Sequence, residues 1–276
     1  MILTEPLHGI VVSVGYADFL DISLTHNLKH LDTCVVVTSP EDKESQRIGG
    51  KHGCKVVISR DHERSFGPAD NPEFGVKESQ KRIFNKGAMI ERGLQQAPQA
   101  GYRLHFDSDI LFPGSMRQRL AAARLDHECI YGVDRFNVTD EVGLNKLLDS
   151  QWLSRGFEYH HFLEYPVGNV SIGSRLLLPE QSWVPIGFYQ LWHGSQEYAG
   201  IYRVRMYPSG ENNAAHSDVQ WALTFDRDKR VLIPEFLVAH LITSDSGYGS
   251  NWNGRKTRRF GEHGKDVAKE MKRRYC

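Results

Sequence analysis

An apolar strand that ends in two aspartates one residue apart constrains this sequence more than any other feature. Residues 103–106 are typical of a buried β-strand, and Asp107 and Asp109 follow directly, before a second apolar run. Because alternate residues of an extended chain share a face, both carboxylates can point the same way. Hard oxygen ligands at the mouth of a sheet suit Mg²⁺ or Mn²⁺ holding a diphosphate. The plainer alternative is a strand end with a solvated turn, where aspartate is common.

Strand-like and helix-like segments alternate ahead of this motif. The predicted strands are 10–14, 34–38 and 55–59, and the predicted helices between them are 19–31 and 41–50. A loop over 60–76 and a longer helix over 78–97 follow. Strands that alternate with helices in this rhythm indicate a parallel sheet with crossover helices. The first half of the chain therefore predicts an α/β fold with a mostly parallel sheet flanked by helices.

The second half continues with further strands and helices and a segment rich in aromatic residues and glycine. Its predicted helices are 116–124, 139–153 and 218–226, and its predicted strands are 129–133, 184–192, 230–235 and 236–241. Ser217 is the predicted cap of the helix over 218–226. No linker separates the two halves, so we expect a single domain over 1–276.

Composition excludes several classes of protein. The 276 residues are 40% hydrophobic and 25% charged, with a formal net charge of +0, which gives no strong overall field toward nucleic acid or a membrane. The start of the sequence lacks a signal-peptide pattern, and no apolar run reaches the roughly 18 residues of a membrane helix. The four cysteines are scattered without a Cys-x-x-Cys pair. We expect a cytoplasmic, disulfide-free protein with no integral membrane segment.

The order and spacing of these segments resemble a nucleotide-sugar glycosyltransferase of the GT-A fold. The similar stretches are Val12 to Tyr16, Asn85-Lys86-Gly87, Asp107-Ser108-Asp109 and Val238 to Leu241. They cover nearly the whole chain in order, although each motif is loose when taken singly. The resemblance implies a GT-A-like domain whose residues 1–113 bind the nucleotide sugar and whose residues 114–276 bind the acceptor.

A second resemblance concerns the acceptor. The stretches 187–192 and His216-Ser217-Asp218 are similar to glycosyltransferase-like proteins of phage and bacterial origin. Some of that group are suspected of transferring sugars to modified bases in DNA. The resemblance therefore implies, as one hypothesis, a 5-hydroxymethylpyrimidine in DNA as acceptor.

The GT-A resemblance implies a divalent ion, Mn²⁺ or Mg²⁺, and a nucleotide-diphosphate sugar, in the first place a UDP-sugar. The ion stabilises the charge of the departing diphosphate. Its implied ligands are Asp107, Asp109 and His240; a core histidine bonded to backbone is the alternative for His240. The implied nucleotide-sugar contacts are Val14, Tyr16, Ser39, Asp61, Lys86, Asp107, Arg255 and Lys256. For Tyr16, Lys86, Arg255 and Lys256, ordinary packing or solvated surface charge remains the alternative.

Transfer with inversion of configuration needs a base for the acceptor hydroxyl, and Asp218 is our candidate. A helix amino terminus at this position would lower its pKa and keep it ionised. A stabilising aspartate in a first helical turn is the alternative, and a retaining enzyme needs no such base. A zinc site among His160, His161, His193 and His216 is rejected because their spacing matches no standard pattern.

The C-terminal region is basic, with nine Lys and Arg residues between 255 and 274. This cluster fits contacts with DNA phosphates, an amphipathic helix on a membrane surface, or a solvated terminal helix. Alternative functions are transfer to a cell-surface polysaccharide or lipid-linked glycan, a nucleotidyltransferase, and a non-catalytic DNA- or glycan-binding module.

Overall fold

A computed structural model describes residues 3–61, 85–138, 141–155, 176–178, 182–208 and 214–241. Most of the predicted loop over 60–76 lies outside these residues, as do Arg255, Lys256 and the rest of the basic C-terminal cluster. Within the described residues, no helix is long and apolar enough to cross a bilayer.

Twelve strands and seven helices are present in the described residues. The strands are β1 (Leu7–Val12), β2 (Thr33–Thr38), β3 (Lys55–Ile58), β4 (Tyr102–Asp107), β5 (Ile110–Leu111), β6 (Ile130–Val138), β7 (Leu176–Leu178), β8 (Ser182–Val184), β9 (Tyr189–His193), β10 (Tyr198–Ala199), β11 (Tyr202–Arg203) and β12 (Arg230–Leu241). The helices are α1 (Ala17–Asn27), α2 (Lys43–Lys51), α3 (Lys86–Leu94), α4 (Met116–Ala122), α5 (Glu141–Leu148), α6 (Trp152–Arg155) and α7 (Ala214–Leu223).

Eight of the strands form one sheet in the order β3-β2-β1-β4-β9-β6-β12-β5. Strands β3, β2, β1 and β4 are parallel, and so are β6 and β12. Strand β9 lies antiparallel between β4 and β6, and β5 lies antiparallel to β12. Both predicted halves of the chain thus contribute to one mostly parallel sheet, and the predicted α/β fold class is confirmed.

Helices cover both faces of this sheet, because alternate residues of the buried strands point to opposite sides. On one face, Val11 and Val36 pack in a cluster with residues of α1 and α4. On the other, Ile10 and Val35 pack with residues of α3 and α7. Every residue of β1 is buried, as the continuous apolar run predicts for a central parallel strand.

Several element boundaries differ from the sequence expectations. Helix α1 begins at Ala17, two residues before the predicted start at residue 19. Helix α7 begins at Ala214, so Ser217 lies inside it instead of forming the cap. The strands predicted over 230–235 and 236–241 form one strand, β12, whose pairing with β6 shifts between Leu232 and Leu237. Glu235 adopts a φ of 56° at this irregularity, which explains why the local pattern suggested two strands.

Glycine allows α3 to approach the sheet closely. A Cβ atom on Gly93 would lie 2.5 Å from Ile10 Cγ2 and 2.9 Å from Val37 Cγ2. Gly50 on α2 is also helical but is exposed, and a Cβ atom there meets nothing within 4 Å.

We predict that Gly93→Ala lowers the free energy of unfolding by about 1–3 kcal/mol, because the added methyl group overpacks the interface between helix and sheet. Gly50→Ala is the matched control and should raise it by roughly 0.5–1 kcal/mol through helix propensity. Urea denaturation of both variants measures the two effects. Equal stability of the two variants would contradict the close packing of α3.

Candidate active site

The carboxyl end of β4 and the amino end of α3 meet at one edge of the sheet. Strand β4 ends at Asp107, and Ser108 and Asp109 form the turn into β5. Asn85 caps α3 by accepting a hydrogen bond from the Ala88 backbone N–H at 3.0 Å. The cap places Lys86, the first residue of α3, beside the aspartates.

Lys86 and Asp107 form an ion pair that is largely withdrawn from solvent. The Lys86 ammonium donates a hydrogen bond to Asp107 Oδ1, and only 13% of the lysine side chain is exposed. Burial by itself would lower the pKa of Lys86, but the charges of Asp107 and Asp218 outweigh it and raise the pKa. Lys86 is therefore a permanent cation at this edge of the sheet.

Asp109 offers a buried carboxylate oxygen that the protein leaves without a hydrogen bond. The residue is 5% exposed, and among the described residues Oδ1 has no hydrogen-bond partner. Burial by itself would raise the pKa of Asp109, but His240 and Lys86 offset it, so the pKa lies below its usual value. A buried, ionised oxygen without a partner is costly unless a cation or donor fills the place beside it.

His240 lies next to this carboxylate because β12 pairs with β5, which puts His240 opposite Ile110. Its Nε2 atom is 3.6 Å from Asp109 Oδ2. Its Nδ1 atom is 3.2 Å from Asn137 Oδ1 on β6. Without a metal, a proton on Nε2 faces the Asp109 carboxylate; in the neutral tautomer whose Nδ1 donates to Asn137, Nε2 instead presents a lone pair that can bind an ion beside Asp109.

This donor set fits a six-coordinate divalent ion. With ligands at about 2.1 Å, adjacent donor atoms of an octahedral ion are about 3.0 Å apart and opposite ones about 4.2 Å apart. The 3.6 Å between Asp109 Oδ2 and His240 Nε2 exceeds the spacing of adjacent donors, so the two side chains have to approach each other by about 0.6 Å to share one ion. Carboxylate plus imidazole suits Mn²⁺, and carboxylate alone suits Mg²⁺. Asp109 and His240 are thus able to hold such an ion, with Asp107 beside them.

Two further residues at this edge were missed by sequence reasoning. Arg135 on β6 lies close enough to Asp107 and Asp109 for their charges to raise its pKa, although burial, the larger effect, lowers it. The Arg135 guanidinium also lies 4.5 Å above the centre of the Phe188 ring. His105 is fully buried, which lowers its pKa to about 3, and its Nε2 lies 3.8 Å from Asp107 Oδ1.

The sequence contains a feature that could have placed His105 at this site, but none that could have placed Arg135 there. His105 is two residues before Asp107 on the same strand, so strand alternation alone would have placed both side chains on one face. Nothing in the sequence connects Arg135 with the aspartates. Only the pairing of β6 with β12, which sets Arg135 opposite Val238 and Asn137 opposite His240, brings it there.

Asp218 lies at the same edge, on α7, and several backbone contacts fix it. Its Oδ2 accepts a hydrogen bond from the Gly187 N–H at 2.5 Å and its Oδ1 one from the Val219 N–H at 2.8 Å. Gln190 of β9 donates to its backbone carbonyl at 2.8 Å. A Cβ atom on Gly187 would collide with the Asp218 carboxylate, so this approach requires glycine.

The electrostatic setting of Asp218 differs from the sequence expectation. It is the fifth residue of α7 rather than a first-turn residue, and it is 6% exposed. Burial raises its pKa to about 6, although Lys86 and the Gly187 N–H act in the opposite direction. The expected lowering of its pKa by a helix amino terminus is therefore wrong, because loss of solvent outweighs the helix dipole.

The residues predicted to bind the nucleoside follow the carboxyl ends of β1, β2 and β3. Val14 packs against the cluster that contains α3, and Tyr16 is 8% exposed with its ring 6.4 Å from that of Phe19. The Ser39 hydroxyl accepts a hydrogen bond from the Asp42 N–H at 3.2 Å. Asp61 is paired with Arg92. Thus Tyr16, Ser39 and Asp61 have protein partners, and their predicted contacts with a nucleotide remain predictions.

Carboxylates outnumber cations in this cluster. Among the described residues, the carboxylates of Asp107, Asp109 and Asp218 act on Lys86, and those of Asp107 and Asp109 act on Arg135, so with a neutral His240 three negative charges face two positive ones. Burial penalises such an excess. A bound divalent cation would change the net charge of the cluster from negative to positive, which favours binding of an anionic ligand.

Comparison with known proteins finds similarity in fold only. A crystal structure of glucosyl-3-phosphoglycerate synthase from Mycobacterium tuberculosis, in complex with Mn²⁺, UDP-glucose and phosphoglyceric acid, is 13% identical with a TM-score of 0.47, over 86% of this chain and 72% of that chain. The same enzyme with Mn²⁺, UDP and phosphoglyceric acid is 12% identical with a TM-score of 0.45, over 99% of this chain and 79% of that chain. No family model matches the sequence, and no curated protein does. The chemistry must therefore be inferred from the side chains of this chain.

The raised pKa of Asp218 predicts a dependence of stability on pH. The folded state has a pKa of about 6 against an ordinary value of 3.8, so the group favours the folded state most below pH 3.8, and this contribution is lost as the pH rises through about 6. Relative to Asp218→Asn, the free energy of unfolding of the wild type should fall by up to about 3 kcal/mol between about pH 4 and pH 7.5.

Urea unfolding in EDTA across this pH range measures the difference. Asp228→Asn, at an exposed position away from the site, is the matched control and should show the same pH dependence as the wild type. If the difference in free energy of unfolding between the wild type and Asp218→Asn does not change with pH, the raised pKa of Asp218 is contradicted.

Proposed function

We propose that this protein is a metal-dependent glycosyltransferase that moves a sugar from a nucleotide-diphosphate sugar, in the first place a UDP-sugar, to a hydroxyl acceptor. One observation carries the proposal. The buried Asp109 carboxylate and Nε2 of His240 lie 3.6 Å apart, with the Asp107–Lys86 pair beside them. Lys86 thus lies beside a set of donor atoms for a divalent ion at one edge of the sheet. Both cations could stabilise the negative charge of a departing diphosphate.

Asp109 and His240 would hold Mn²⁺ or Mg²⁺, with Asp107 completing the ligand set directly or through water. When bound, the ion stabilises the negative charge that develops on the diphosphate. Lys86 would exchange its bond to Asp107 for one to a phosphate oxygen. Arg135, held over the Phe188 ring, supplies a second cation at the same edge. Arg255 and Lys256 remain predicted phosphate partners on sequence grounds.

Asp218 is the proposed general base for an inverting reaction. A pKa of about 6 leaves it mostly ionised at neutral pH yet basic enough to accept a proton. Its bonds to the Gly187 and Val219 N–H groups orient the carboxylate and use one lone pair on each oxygen, so each oxygen retains another. The alternative is that Asp218 serves only to fix the turn at Gly187.

The acceptor is proposed from sequence. The basic cluster between 255 and 274 and the resemblance to phage and bacterial proteins favour a 5-hydroxymethylpyrimidine in DNA. A polysaccharide or lipid-linked glycan is the alternative acceptor. Transfer of labelled sugar to hydroxymethylated DNA, with unmodified DNA as control, distinguishes the two.

We predict that UDP with Mn²⁺ raises the melting temperature by about 5 °C or more at roughly 100 times the dissociation constant. The rise should disappear in EDTA and in Asp109→Asn, which removes the ionised ligand. Asp228→Asn is the matched control and should retain it. GDP, CDP and ADP in parallel assign the nucleotide.

No shift with any of the four diphosphates would contradict the proposed function and favour a non-catalytic binding module. A rise in melting temperature of equal size in EDTA would support nucleotide binding but contradict the proposed role of the metal.

We predict that Asp218→Asn lowers the turnover number for UDP release from a UDP-sugar by about 10²–10⁴-fold, because the acceptor water or hydroxyl loses its base. The thermal shift with Mn²⁺ and UDP should be unchanged. The wild-type rate should rise with pH through about 6, following the ionisation of Asp218, and this limb should be missing in the variant. Unaltered turnover would assign Asp218 a purely structural role.

A further inference from the structure

A second group of metal-binding side chains lies at the opposite end of the sheet. Glu5, His127 and His193 each offer one ligand atom, and these atoms lie within 4.8 Å of one another. Glu5 precedes β1, His127 lies between α4 and β6, and His193 ends β9. The site is therefore assembled from three separate parts of the chain.

Strand pairing brings these segments together. Leu7 of β1 lies opposite Tyr102 of β4, and Tyr102 lies opposite His193 of β9. Tyr102 and Asp107 are the first and last residues of β4. Five steps of about 3.3 Å separate them by roughly 17 Å. The cluster is thus independent of the aspartates at the other end.

Both imidazoles direct Nε2 toward the same carboxylate. His127 Nε2 is 2.8 Å from Glu5 Oε1, and His193 Nε2 is 3.1 Å from Glu5 Oε2. The two rings are stacked, with centres 3.8 Å apart and planes within 5°. Two imidazoles and one carboxylate are the protein ligands of open zinc sites, in which water takes the fourth position.

The surrounding contacts hold one imidazole and leave the other adjustable. The Tyr102 ring packs edge-on against both, at 5.2 Å from His193 and 5.7 Å from His127. His193 Nδ1 accepts a hydrogen bond from the Ser195 backbone N–H at 3.2 Å and lies 2.7 Å from the Ser195 hydroxyl. Metal binding at Nε2 requires the other tautomer, in which Nδ1 carries the proton and donates a hydrogen bond to that hydroxyl. The His193 side chain is 13% exposed, whereas that of His127 is 51% exposed and that of Glu5 is 38% exposed.

We propose that Glu5, His127 and His193 bind a divalent ion of the zinc class. At zinc–ligand distances of about 2.0–2.1 Å, tetrahedral ligand atoms are about 3.4 Å apart, so each Glu5 contact has to lengthen by a few tenths of an ångström. Rotation of the exposed His127 ring out of the stack lets both lone pairs meet at one ion. The bound ion fastens the segment before β1 to the end of β9 and to the turn at His127.

The test uses the full chain carrying Asp109→Asn, so that the proposed site at the other end does not contribute. After removal of metal with EDTA and buffer exchange, Zn²⁺ is titrated in competition with a chromogenic chelator. We expect about one Zn²⁺ per chain, with the dissociation constant raised at least tenfold by His127→Gln and by Glu5→Gln. Both positions are partly exposed, so the variants should fold, which circular dichroism checks.

His52→Gln is the matched control. His52 Nε2 also contacts a carboxylate, that of Asp21 at 2.6 Å, but no second histidine among the described residues shares it. It should leave the affinity unchanged. Substitution with Co²⁺ gives an independent readout, since ligation by both histidines produces tetrahedral visible bands that His127→Gln should remove.

Equal affinity in the parent, His127→Gln and Glu5→Gln proteins would overturn the proposal, and so would a loss of affinity in His52→Gln of the same size. The inference does not depend on the proposed glycosyltransferase activity, and neither result bears on it.

Discussion

The ion pair between Lys86 and Asp107 joins the first residue of α3 to the last residue of β4. The Lys86 side chain is 13% exposed and that of Asp107 is 30% exposed, so separating the pair without a replacement partner would leave a largely buried ammonium uncompensated. The pair therefore fixes α3 over the aspartates. Through Gly87, α3 also contacts Pro208 and Ser217, which keeps α7 at the same edge. In the proposed reaction the diphosphate is the anion that replaces Asp107.

The antiparallel strand β9 decides which side chains reach this edge. Inserted between β4 and β6, it places β6 and β12 on the far side of the sheet from β1, with His240 facing Asn137. It also carries Gln190, whose amide bonds the Asp218 carbonyl and fixes α7. If β9 were parallel to β4, its residues, including Gln190, would follow the opposite order across the sheet. The positions of the proposed metal ligands and of the proposed base thus depend on the direction of one strand.

Strand β4 links the two proposed sites. Its first residue, Tyr102, packs against the stacked histidines, and its last, Asp107, pairs with Lys86. Polar side chains collect at both ends of β4 because the middle of this strand is buried on both faces. The carboxyl end, where helix amino termini converge, suits anions, as the ends of parallel strands generally do. The amino end has two imidazoles and one carboxylate, which suit a cation.

The α/β class, most strand positions and the Asp107–Asp109 motif can be predicted from the sequence, because strand period, apolar runs and turn residues are properties of neighbouring residues. The raised pKa of Asp218, the placement of Arg135 and Asn137, and the meeting of Glu5, His127 and His193 cannot be predicted in this way. A zinc site that included His193 was rejected because the spacing of the histidines considered matches no standard pattern, whereas Glu5 and His127 are distant from His193 in sequence. Only the tertiary structure decided these features, since strand register and burial depend on how the whole chain packs.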